Sequence, residues 1–262
     1  MTIIFGPAGI GTVHEAAANL EKYHKLGLGA CEIPFTYSIF IKEDKHAKEI
    51  VEIRKVVEKL KFKLSIHAPY WVNLNSVEKE KIEGSKKRIL DCCKIGELIG
   101  AYRVVFHCGF YGKMTREETY ENIKKAVSEV QEQIKKNKWK IKIAAETMGK
   151  INIFGSPEEI KKLSKETGCE MCVDFAHLLA RNIGKKSYKE LYADFKEYDN
   201  LHCHFSGINF GDKGEISHKP TPDEEIKKLL EALPKNKNFV IINESHDPLG
   251  DSIKSLKIYN EL

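Results

Sequence analysis

The sequence predicts a single closed (β/α)8 barrel, the TIM-barrel fold, over residues 1–262. Three observations predict it. Eight short apolar runs alternate with eight amphipathic stretches of helical period, the pattern of parallel strands joined by crossover helices. No linker, repeat or low-complexity tract interrupts them. The strand-like runs end, one after another, in His or a carboxylate, where a barrel gathers its active-site groups. An open doubly wound sheet would use the same elements, but no GxGxxG follows any strand, so its usual dinucleotide fingerprint and the cofactor it holds are absent.

Each element has its own signal. Residues 2–8 read as the first strand, and Thr12 with Glu15 as a capping box for a helix ending near Gly27. Ala30–Pro34 is the second strand, followed by a helix to about Leu60. Lys63–His67 is the third, and Asn75-x-x-Glu78 starts a long helix that stops at Gly100. Arg103–His107 is the fourth. Thr115-x-x-Glu118 then caps a helix whose apolar face is Tyr120, Ile123, Val127, Val130 and Ile134. Lys140–Glu146 is the fifth, and Ser156-Pro157-x-Glu159 opens a helix with Pro at its first position. Cys169–Asp174 is the sixth, with a helix over 187–197 after it. Leu201–His204 is the seventh, with a helix from Thr221-Pro222-x-Glu224; Phe239–Glu244 is the eighth, before a closing helix.

Composition bounds the function. At 42% hydrophobic and 31% charged residues, the chain is that of a folded protein. It has no run of 18 apolar residues and no signal-peptide pattern, so no membrane partner is expected. Seven cysteines, an odd number in mostly apolar surroundings, read as reduced core residues of a cytoplasmic protein. A formal charge of +5 permits a polyanionic partner. A monomer is expected.

The strand ends carry the chemistry. The third ends at His67, the fourth at His107, the fifth at Glu146, the sixth at Asp174 with His177 beyond, the seventh at His204 and the eighth at Glu244. By strand parity these face inward together. Buried carboxylates pointing at one another are costly without cations between them, and His, Asp and Glu are ligands for zinc-like ions. For Asp174 and His177, the plain alternative is a helix N-cap followed by a surface histidine. Glu32, near the end of the second strand, is either a further ligand or the partner of a Lys or Arg. His202 has the same parity as His204 but lies a layer deeper, which suits a hydrogen-bonded core role. His246 suits a supporting or surface role.

The motifs Ser65-Ile66-His67-Ala68-Pro69-Tyr70-Trp71-Val72-Asn73-Leu74, Val105-Phe106-His107-Cys108-Gly109, Ala145-Glu146-Thr147-Met148-Gly149, Asp174-Phe175-Ala176-His177, His204-Phe205-Ser206-Gly207 with His218, and Glu244-Ser245 run in order along nearly the whole chain. Together they resemble the endonuclease IV family of abasic-site endonucleases, within the xylose-isomerase-like barrels. The resemblance implies a zinc-dependent enzyme, with manganese or iron as alternative metals. It would cut double-stranded DNA 5′ to abasic sites and leave a 3′-hydroxyl. It implies three ions. One is held by His67, His107 and Glu146. Glu146 bridges to a second with Asp174, His204 and Glu244, and the third takes His177 and His218. Glu146 and Glu244 are the implied catalytic carboxylates. Carboxylate-bridged ions sit about 3.5–4 Å apart, which suits in-line phosphoryl displacement with an acidified water.

Two positions depart from the family. Cys108 stands where the family has Pro, and Ile216 where it has an Asp ligand. Glu215 or Asp212 would have to substitute; Glu215 is preferred because Gly214 can bend the loop. That loop, about 205–221, is long enough to be functional. Tyr70, Trp71, Phe35 and Tyr37 are candidate wedges into a strained duplex. Lys113, Arg116, Lys150, Arg181, Lys185, Lys186, Lys213 and Lys219 are candidate phosphate contacts on the rim. The competing function is a divalent-metal sugar isomerase or epimerase on the same barrel, with Glu146 and Glu244 as its acid/base pair.

Overall fold

A computed structural model of the chain describes residues 2–262. Its strands are β1 (Thr2–Pro7), β2 (Ala30–Pro34), β3 (Lys63–His67), β4 (Arg103–Phe106), β5 (Lys142–Glu146), β6 (Glu170–Asp174), β7 (Asn200–Phe205), β8 (Gly207–Gly211), β9 (Gly214–Lys219) and β10 (Asn238–Asn243). Its helices are α1 (Ala16–Lys25), α2 (Ala47–Leu60), α3 (Lys79–Ile99), α4 (Arg116–Lys136), α5 (Pro157–Thr167), α6 (Phe175–Arg181), α7 (Tyr188–Ala193), α8 (Asp223–Ala232) and α9 (Pro248–Glu261). Eight strands form one sheet in the order β1-β10-β7-β6-β5-β4-β3-β2. All the pairings in it are parallel. Among the described residues no helix is long and apolar enough to cross a membrane.

The seam between β1 and β2 closes the barrel. Ala8 bridges Glu32 in parallel, with Gly9 N–H on the Glu32 carbonyl at 2.9 Å. Gly6 makes the approach possible, because a Cβ there would lie 1.8 Å from the Ala30 carbonyl oxygen.

The main core fills the layer between sheet and helices. Inside the barrel the apolar content is small: Val105, Ala144 and Cys172 form a cluster of their own. These are inward neighbours of the strand-end His and carboxylates, as strand parity requires. Glu32, Ser65 and His202 share that interior and are buried too. All seven cysteines are buried free thiols, in keeping with core residues.

Capping boxes form reciprocally at Thr115–Glu118 and Ser156–Glu159, as the sequence signals. Four expectations are corrected. Glu15 Oε2 accepts from Thr12 N–H and Oγ, but the helix begins only at Ala16, so the Thr12 box is one-sided. Asn75 is no helix cap. Its buried amide donates to the Phe110 carbonyl at 2.9 Å and to Thr119 Oγ1 at 3.1 Å, stapling loop to helix. The loop over 205–221 contains the antiparallel β8–β9 hairpin, and α6 follows β6 with no loop between them. The helix expected over 187–197 is the shorter α7, opened by a Ser187–Glu190 box.

Candidate metal centre

Glu146, the last residue of β5, is fully buried where the strand-end side chains converge. His67 Nε2 and His107 Nε2 each lie 3.0 Å from its Oε2. His204 Nδ1 lies 3.2 Å and His177 Nδ1 3.3 Å from its Oε1. Burial alone would raise the Glu146 carboxyl; the imidazoles, His204 and His107 foremost, hold it well below the usual carboxylate range. Asp174 goes the other way, raised by burial and by the charges of Glu146 and Glu244 against the pull of His177.

Ligand atoms of Glu146, Asp174, His204 and Glu244 all lie within 4.8 Å of one another, as do those of His67, Glu146 and His204. The hydrogen bonds around them test whether a cation fits. His67 Nδ1 is 2.7 Å from the Ala68 carbonyl, which can only accept, so Nδ1 carries the proton. With Nδ1 committed to that carbonyl, Nε2 is the atom turned on Glu146, 3.0 Å from its Oε2, in position to ligate a cation shared with that carboxylate. Asp174 Oδ1 accepts the His177 N–H at 2.7 Å, whereas its buried Oδ2 has no hydrogen-bond partner. Asp174 is therefore both the N-cap of α6 and a carboxylate with one oxygen left over for the cluster, and His177 is buried rather than on the surface. The donor set fits divalent ions.

A second group lies beside the first. Ligand atoms of His177, Glu215 and His218 come within 4.8 Å of one another. His177 Nε2 is 3.5 Å and His218 Nε2 4.0 Å from Glu215. His177 Nδ1 is tied to the Thr147 carbonyl at 3.0 Å and His218 Nδ1 to Ser206 Oγ at 2.8 Å, so both Nε2 atoms face the gap. Thr147 and Ser206 had no role assigned from the sequence; their only signal is a place one residue after Glu146 and two after His204. The β8–β9 hairpin brings Glu215 and His218 in. Glu215 N–H donates to the Gly149 carbonyl at 3.2 Å, and a Cβ on Gly149 would lie 2.7 Å from the Glu215 Cβ. Ile216, where the resemblance asks for Asp, is 66% exposed, and Glu215 faces inward instead. Dialysed Glu215→Ala protein is expected to hold one metal equivalent fewer than the wild type. Equal counts by elemental analysis would remove Glu215 from the set.

The rim is partly as expected. Tyr70 is 50% exposed, its ring parallel to that of His107 at 5.3 Å. Trp71 and Tyr37 are exposed, and the indole N–H donates to the Tyr37 carbonyl at 3.0 Å. Phe35 is not on the rim. It is fully buried, edge-on to Phe40 at 4.9 Å, and its backbone N–H donates to the His67 carbonyl at 3.0 Å. Lys113, Arg116, Lys150, Lys185, Lys186 and Lys213 are exposed, and Lys219 is half-buried. Arg181 is committed elsewhere, its guanidinium donating to the carbonyls of Met148, Lys150 and Ile153. Arg116 stacks on Tyr111, 4.8 Å from its centroid. His246 is exposed.

From residue 20 to residue 259 the chain matches the family described as xylose isomerase-like TIM barrel. The protein belongs to that family. An uncharacterized protein of Methanocaldococcus jannaschii is 32% identical to this xylose isomerase-like barrel over 277 residues, covering 99% of this chain and 98% of the other. The apurinic-apyrimidinic endonuclease of Caenorhabditis elegans is 30% identical over 171 residues, covering 61% of this chain and 42% of that protein. Among solved structures, SacUVDE superposes with a TM-score of 0.77 at 15% identity, over 100% of this chain and 98% of its own. Endonuclease IV from Thermus thermophilus gives 0.73 at 18% identity, over 98% of this chain and 99% of its own. A D-tagatose 3-epimerase-like protein gives 0.68 at 19%, over 98% of each chain. At these identities the likeness shows the fold alone.

Proposed function

We propose that this xylose isomerase-like barrel is a metal-dependent endonuclease that hydrolyses the DNA phosphodiester 5′ to an abasic site and leaves a 3′-hydroxyl. The observation that carries this reading is the donor group His177, Glu215 and His218, set beside the Glu146 cluster. A phosphodiester undergoing in-line displacement gathers negative charge on attacking, leaving and non-bridging oxygens, and a third cation position serves that distribution. A neutral ketose exchanging protons between two carboxylates has no such charge to neutralise. The partial match to an apurinic-apyrimidinic endonuclease supports the same reading.

His67, His107 and Glu146 would hold one ion, Glu146, Asp174, His204 and Glu244 a second, and His177, Glu215 and His218 a third. Zinc is the metal the His and carboxylate set suits best. Ions held there supply an acidified water and charge neutralisation at phosphorus. The chain's own part is placement. Glu146 and Glu244 fix the negative charge around which the imidazoles are ordered. Exposed Tyr70 and Trp71 offer flat faces to a base or a distorted step beside the site.

The test is a duplex carrying one abasic-site analogue, incubated with and without chelator. The expected outcome is a 3′-hydroxyl product that disappears with chelation and returns with zinc. A lyase product, or no cleavage alongside turnover of a ketose, overturns the reading; the second result selects the epimerase chemistry that Glu146 and Glu244 could also perform. Binding should also be steeply salt-dependent, with log K falling by about 0.9 per phosphate neutralised for each decade of salt. A flat response in a filter-binding titration would count against a DNA substrate.

A further inference from the structure

Beneath the metal centre the barrel holds a chain of buried polar groups that the proposed reaction does not use. Glu32 is fully buried. Ser65 Oγ donates to its Oε2 at 2.7 Å, and His202 Nε2 lies 3.3 Å from the same oxygen. Tyr102 Oη is 2.6 Å from His202 Nδ1. Glu32 Oε1 and His204 Nε2 face each other at 3.0 Å, and neither atom has a hydrogen-bond partner. No Lys or Arg forms an ion pair with Glu32 among the described residues; its partners are imidazoles and a hydroxyl.

The polarity of this chain has one consistent direction. His202 Nε2 faces the Glu32 carboxylate, which can only accept, so Nε2 carries a proton and Nδ1 faces the Tyr102 hydroxyl. The other oxygen of Glu32 lies 3.0 Å from His204 Nε2, an ion-pair contact that keeps the proton on Nε2 and turns Nδ1 to the site, 3.2 Å from Glu146 and 3.2 Å from Glu244.

We propose that Glu32 is the positioning residue of the metal centre: it fixes His204 in the tautomer that presents Nδ1 to the ion, and Ser65, His202 and Tyr102 lock Glu32 in turn. A carboxylate behind a ligating imidazole sets its orientation and raises its basicity. Glu32 also places a buried negative charge directly under the cation site. Its geometry leaves no freedom, because Ser65 and His202 fix one oxygen while His204 takes the other. The outer end of the chain, Tyr102, lines a cavity of about 440 Å³ at the N-terminal mouth of the barrel, with Thr2, Lys63 and Asn238. The inference rests on the metal centre and not on the choice between DNA and ketose.

The test is a cobalt(II) titration of metal-stripped protein against a chromophoric chelator, reading affinity and visible absorption together. Glu32→Gln is expected to weaken one cobalt equivalent by about 10- to 100-fold and to shift its absorption bands. Tyr102→Phe, acting through two intermediaries, is expected to weaken the same equivalent by less than about 10-fold. Wild-type affinity and spectrum in Glu32→Gln would overturn the inference. Should that variant not fold, Tyr102→Phe decides alone, and wild-type behaviour there overturns it equally. A wild type that binds no cobalt would instead overturn the metal centre itself, and this inference with it.

Discussion

Glu146→Gln is expected to lower turnover of an abasic-site duplex by on the order of 10³, because several kcal/mol of transition-state stabilisation at roughly 1.4 kcal/mol per decade is lost. The substitution preserves shape but removes the charge around which His67, His107, His177 and His204 are gathered, at 3.0, 3.0, 3.3 and 3.2 Å. A neutral amide can neither bridge two cations nor keep both oxygens as acceptors. The fold should persist, since Glu146 sits at the end of its strand and the main core lies outside the barrel. Single-turnover kinetics with circular dichroism on the same sample checks both halves. Near wild-type cleavage would remove the bridging role.

Gly6→Ala is expected to be the most destabilising single-atom addition in the barrel wall. The new Cβ would lie 1.8 Å from the Ala30 oxygen and 2.2 Å from its carbon, so backbone and not a flexible side chain must move. Overpacking of this kind costs about 3 kcal/mol or more. For a chain of this size that corresponds to a fall in melting temperature of roughly 6–12 °C. The metal centre should suffer as well, because Ala8 pairs with Glu32 across the same seam. A melting temperature within about 2 °C of wild type, read by calorimetry, would show that the seam opens without penalty.

The strands and the inward His and carboxylates were legible because both follow from local rules. Strand parity decides which residues share a face, and a parallel barrel places strand ends together. What escaped depended on neighbours distant in sequence. Phe35 and Tyr37 are alike as exposed-loop aromatics on paper, yet Phe35 is buried against Phe40 while Tyr37 is 75% exposed. Asn75 carries a helix-start signature, but Thr119 and the Phe110 carbonyl draw it inward. Glu32 could not be assigned its imidazole partners from sequence, because His202 and His204 lie 170 or more positions away. Asp174 shows two readings holding at once, one oxygen capping α6 and the other turned to the cluster. The hairpin was read as a loop because its apolar positions, Ile208, Phe210 and Ile216, are few and its glycines many.

That hairpin divides the site along a natural joint. Glu146, Asp174, His204 and Glu244 stand on or directly after barrel strands, where any change of length disturbs closure. Glu215 and His218 stand on Gly214–Lys219, which pairs with Gly207–Gly211, bridges Lys150 through Gly214 and packs beside α6. Such an appendage can be lengthened, trimmed or exchanged while the frame beneath it is inherited unchanged. On the reading proposed above, a lineage of these barrels would gain or lose a cation position by editing one β-turn. The choice between an anionic ester and an uncharged sugar would then be a property of the accessory and not of the scaffold.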